Sequence, residues 1–145
     1  MFSFFKKEEG ISYNRKLIPI LHEEHKEICE ISNQIKKDIK NGLVGGVVEK
    51  LKKLQFKLSE HLLKEDAKLY EYLKKKNLIK KEKIEQNKEL LDEVLEDIFK
   101  MMTKWKKIEI NLDHKEELLK EFSIIEQEIK TTLEKQEKED FILYK

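Results

Sequence analysis

The sequence predicts an all-α protein, an antiparallel up-down-up-down four-helix bundle. Three observations carry this. Charged residues make up 42% of the 145-residue chain and hydrophobic ones 39%, with only four Gly and one Pro. The apolar residues are large and recur at alternating spacings of three and four, the period of an amphipathic helix. Breaker residues divide the pattern at three similar intervals, which suits four rods joined by short connections better than one long coiled coil.

In chain order, residues 1–14 read as an N-terminal tail and 15–145 as the bundle domain. Pro19 suits a first helical turn, where a missing N–H costs nothing, so helix 1 starts between residues 15 and 19 and runs to Lys40. "NGLVGG" (41–46) ends it, with Gly42 placed to cap. Helix 2 covers Val47 to Lys75, and "KKNLIKK" turns the chain into helix 3, residues 81–106. "IEINLD" precedes helix 4, for which Asp113 with Glu116 three residues on gives a capping-box spacing. Helix 4 extends to residue 140 or beyond.

The charges nearly cancel, 31 basic against 30 acidic, so no global field favours nucleic acid or an anionic membrane. No apolar run has the length of a signal peptide or a membrane span, and the lone Cys29 fits a reducing cytoplasm as a core or flank residue. Phe2, Phe4 and Phe5 mark the tail as a segment that packs on the bundle or lies loose. "GLVGG" lacks the Lys and Ser/Thr of a phosphate loop, no nucleophile has a base at a suitable spacing, and no enzymatic chemistry is expected. Lys74–Lys76 with Lys80 and Lys81 crowd one bundle end, where cations suit the end of helix 2.

The inner rows hold the exceptions. Helix 1 gives Ile18, Leu21, His25, Ile28, Ser32, Ile35 and Ile39, and helix 2 gives Leu51, Leu54, Leu58, His61, Glu65, Leu69 and Tyr72. Helix 3 gives Ile84, Leu91, Val94, Ile98, Met101 and Trp105, and helix 4 gives Leu118, Phe122, Ile125, Ile129, Thr132, Gln136 and Glu139. His25 stands some 15 residues before the end of helix 1 and His61 some 14 after the start of helix 2. At about 1.5 Å per residue both are roughly 22 Å from the connecting loop, hence level and facing in an antiparallel pair. Glu65 lies one turn beyond His61 on the same face. Two imidazoles and a carboxylate inside a bundle form a metal-type donor set suited to non-haem iron. A buried hydrogen-bonded network is the alternative, since a buried Glu requires some partner.

"LHEEHKEI" on helix 1, "EHLLKED" on helix 2 and the following "KLYEYL" resemble the hemerythrin-like, or HHE cation-binding, domains across nearly the whole chain. The resemblance implies a metal-binding bundle that binds oxygen or senses oxygen or iron. It assigns His25 and His61 as nitrogen ligands and Glu65 as a carboxylate ligand. "EKQEKEDFILY" loosely echoes "EHLLKEDAKLY", which brings in Glu139 and Asp140 as further ligands and leaves Lys135 at the histidine position, as a partner for Glu65 or Asp140. The complete family site holds two irons with five histidines, two of them on helix 3. This chain has four histidines and none between residues 62 and 113. His22 lies on the flank of the stripe and His114 beside the expected cap. The expectation is therefore one iron or zinc ion at most, with O2 as a small ligand. No nucleic-acid or membrane partner is expected, and a metal-free scaffold or interaction module is the competing class.

Overall fold

The computed structural model describes residues 11–145, so Phe2, Phe4 and Phe5 and most of the expected tail lie outside the described residues. Helix α1 spans Leu17–Lys40. Val47–Lys64 is α-helical, Glu65–Tyr70 is a π-helical turn and Glu71–Lys75 is α-helical again; together they form one continuous rod, α2. Helix α3 is Lys81–Lys106 and α4 is Lys115–Glu139, with short 3₁₀ turns at Leu112–His114 and Phe141–Leu143. Each helix packs on two neighbours: α1 on α2 and α4, and α3 on α2 and α4. That is the neighbour pattern of an up-down four-helix bundle, as the sequence predicts.

The ends have local causes. Gly42 (φ 79°) closes α1 in a Schellman motif: its N–H reaches the Ile39 carbonyl and the Leu43 N–H reaches that of Asp38. Asn77 (φ 56°) does the same for α2, with the Leu78 N–H on the Leu73 carbonyl. Asn tolerates this left-handed conformation better than other side-chain-bearing residues. At the start of α4 the cap differs from the expected Asp113–Glu116 box. Asn111 Oδ1 accepts from the Asp113 N–H, and His114 Nδ1 accepts from the Asn111 N–H. A 3₁₀ turn before the α-helix moves the cap two residues upstream.

The buried rows match the expected ones closely. Leu21, Leu51, Leu54, Ile98 and Phe122 are wholly enclosed, each such side chain worth roughly 1.5–3 kcal/mol of transfer free energy. Two positions depart: Ile18 yields its place to Leu17, and Glu139 is exposed. Cys29 is half-buried beside the core, and burial pushes its thiol pKa up. The apolar core falls into two clusters. One runs from Ile28 and Leu58 towards the α1–α2 loop, and the other gathers Leu17, Leu21, Leu69, Tyr72 and Phe141 at the opposite end. Among the described residues no helix is long and apolar enough to cross a membrane.

Candidate metal centre

Between the two clusters lies a polar layer built from all four helices. His25 on α1 and His61 and Glu65 on α2 are 3%, 2% and 0% exposed. Their nearest ligand atoms lie within 4.8 Å of one another. His25 Nε2 stands 2.8 Å from His61 Nε2, and His61 Nε2 stands 3.2 Å from Glu65 Oε1. Levelling the two histidines from helix geometry therefore placed them correctly.

The far side of each ring is held by a carboxylate that the sequence reading did not single out. His61 Nδ1 meets Glu24 Oε1 at 2.7 Å, and His25 Nδ1 meets Glu137 Oε1 at 3.0 Å. A carboxylate in its charged form only accepts, so both Nδ1 atoms carry the hydrogen. In neutral rings this leaves a lone pair on each Nε2, and the two point at each other across 2.8 Å. Such a pair needs a cation: a proton fits on the line between the nitrogens, whereas a metal ion, at about 2.0–2.1 Å from each, would lie beside that line or part the rings.

The electrostatics are consistent with a single shared proton. Burial, followed by the charge of His61, pushes His25 down to about 4, against the pull of Glu137. Burial also works against a charged His61, but the hydrogen bonds and charges of Glu65 and Glu24 outweigh it and hold its pKa above the ordinary value. Glu24 resists its own partial burial through Lys64 and His61, which keep its carboxyl below the usual range. Burial raises Glu65, with His61 and Gln136 opposing.

Gln136 donates to Glu65 Oε1 at 3.1 Å, and of the two partners foreseen for Lys135 its charge acts on Asp140. Asp140 is buried one step further on, accepting from Tyr70 Oη at 2.8 Å and from Asn87. Glu139, the other carboxylate expected near the metal, points outward and accepts from Lys83 at 2.6 Å. Helix α4 stays α-helical here, so residues 136 and 140 face inward and residue 139 does not. Glu65 Oε2, Gln136 Oε1 and Asp140 Oδ1 are buried acceptors without a hydrogen-bond partner.

The remaining histidines stay off the centre. His22 is half-exposed and shares Glu137 with His25, while His114 packs on Trp105 and caps α4. A small pocket between α1 and α2 is lined by Glu24, Glu27, Ile28, Lys57, Glu60 and His61.

His25, His61 and Glu65 form one group that could hold a single metal ion. Two imidazole nitrogens and a carboxylate with an unpartnered oxygen converge in a buried layer, and each imidazole has the carboxylate support that metal-binding histidines use. Compared with known protein families, curated proteins and solved structures, the chain matches none.

Proposed function

We propose that this chain is a hemerythrin-like metal-binding protein that holds one iron- or zinc-class ion through His25 Nε2, His61 Nε2 and Glu65. In this reading it acts as a binding or sensing protein for iron or oxygen. The supporting observation is the pair of carboxylates, Glu24 and Glu137, behind the two rings. They direct both Nε2 lone pairs into the same buried point, where Glu65 also ends. The resemblance of the helix 1 and helix 2 motifs to HHE domains supports the same reading.

When bound, the ion supplies Lewis acidity and coordination positions that a three-residue donor set leaves open to a small ligand. The chain's own residues do the rest. Glu24 and Glu137 hold the rings in the ligating tautomer, and Gln136 orients Glu65. His61 gives up the proton it shares with His25, so uptake strengthens as pH rises.

A second reading has its own observation. The His25–His61 contact at 2.8 Å is also a sound imidazolium–imidazole hydrogen bond, which a metal-free scaffold would use. Elemental analysis of protein purified without chelators or immobilised-metal columns separates the two. The metal reading expects close to one equivalent, lost in His61→Ala. A trace content with unchanged stability in chelator refutes it in favour of the scaffold.

A further inference from the structure

Two phenylalanines sit on the outside of the bundle, where the core makes no use of them. Phe56 on α2 is 64% exposed and Phe99 on α3 is 57% exposed. The Lys88–Asp66 ion pair at 3.6 Å fixes the register of these antiparallel neighbours. Phe56 lies ten residues before Asp66 and Phe99 eleven after Lys88, so both stand roughly 16 Å along the helices from that pair, at one level.

Four of the charges around them are arranged symmetrically about that level, while exposed Glu49, seven residues before Phe56, has Leu63 as its counterpart. On α2, Lys52 precedes Phe56 by four residues and Glu60 follows it by four. On α3, Lys106 follows Phe99 by seven residues and Asp92 precedes it by seven. All four are exposed. Because the helices run in opposite directions, both lysines lie towards the end with the α1–α2 and α3–α4 loops and both acids towards the other. Offsets of four and seven keep each residue on nearly the same helical face as its phenylalanine.

We propose that this face is the interface of an isologous antiparallel homodimer. A two-fold axis in the plane of the face, perpendicular to the helices and level with the phenylalanines, reverses each helix over its own copy. It sets Phe56 on Phe56 and Phe99 on Phe99, Lys52 opposite Glu60 of the second copy, and Lys106 opposite Asp92. The aromatic centre supplies the association. The charges fix the orientation, since a parallel arrangement would put lysine on lysine and acid on acid. A closed two-fold contact of this kind uses the patch up and stops at the dimer.

Sedimentation equilibrium of the full chain in chelator tests this independently of metal binding. The expected result is a concentration-dependent monomer–dimer equilibrium, abolished by Phe56→Ser with Phe99→Ser. Lys52→Glu weakens the dimer by about tenfold, because both symmetric pairs turn repulsive, and adding Glu60→Lys restores it. A wild-type monomer at every concentration overturns the proposal, as does a double-serine variant that still dimerises. A charge swap that fails to restore what the single reversal lost overturns the antiparallel arrangement. Circular dichroism shows whether each variant keeps its helices, which these exposed positions do not support.

Discussion

Replacing Glu24 with Gln tests the tautomer argument at one atom. The carboxylate stands 2.7 Å from His61 Nδ1 with its other oxygen on Lys64, and its side chain is 22% exposed. The amide keeps an acceptor oxygen for the ring but removes the charge, so His61 stays oriented and becomes a poorer donor to a metal. Loss of such carboxylate support typically lowers affinity tenfold to a hundredfold, about 1.4–2.8 kcal/mol. Glu137→Gln, acting on His25, should fall in the same range. The assay is isothermal titration of chelator-stripped protein with Zn(II) or Co(II) at fixed pH, with urea unfolding of the stripped protein as the control. Stability in chelator should change little, because the hydrogen bond is retained. If both variants bind metal as tightly as the wild type while His61→Ala does not bind, the metal does not depend on the Nδ1 partners and the reasoning fails.

Three further outcomes follow from the same geometry. His25 has a folded pKa of about 4 against an ordinary value of 6.5, so between those values the unfolded chain binds more protons and stability falls as pH falls; chemical denaturation in chelator should show this slope reduced in His25→Leu. Leu54→Ala empties a wholly enclosed site and should cost about 2–5 kcal/mol in urea unfolding, and a loss near zero would place Leu54 outside the core. Glu139→Gln should leave Zn(II) affinity unchanged, because its carboxylate faces Lys83 on the surface, whereas Glu65→Gln should weaken it in the same titration.

The parts of this molecule that repeat were legible in the sequence. Helix ends follow Gly42 and Asn77, and the apolar rows follow the 3.6-residue period, so the bundle and the meeting of His25 with His61 could be placed by counting. Contacts made by single residues across helices were harder to read. Glu24 and Glu137 sit beside their partners only once α1, α2 and α4 are packed. The echo between the ends of α2 and α4 misled because the two segments sit in different helical phase: His61 and Glu65 face inward on α2, whereas on α4 Gln136 and Asp140 do, one residue later than the echoed Lys135 and Glu139. From Glu65 on, α2 also takes a π turn, with Tyr70 inside. No residue in "EDAKLY" signals that turn. π turns of this kind occur often at functional sites, and here it begins on the candidate carboxylate ligand.

The polar layer also has a consequence for how the bundle comes apart. It divides the core into two apolar clusters, and each helix carries buried polar residues between them: His25 on α1, His61 and Glu65 on α2, Asn87 on α3 and Gln136 on α4. Such a division favours two opening units. In the stripped protein, amides around Leu69–Leu73 and Phe141 should exchange with deuterium ahead of those around Leu51–Leu58 and Phe122, since the cluster they belong to is smaller. An ion held at once by α1 and α2 would bind only when the halves are aligned, and would slow exchange in the smaller unit towards the rate of the larger. The same three side chains that offer a metal site would then set whether this protein unfolds in one step or two.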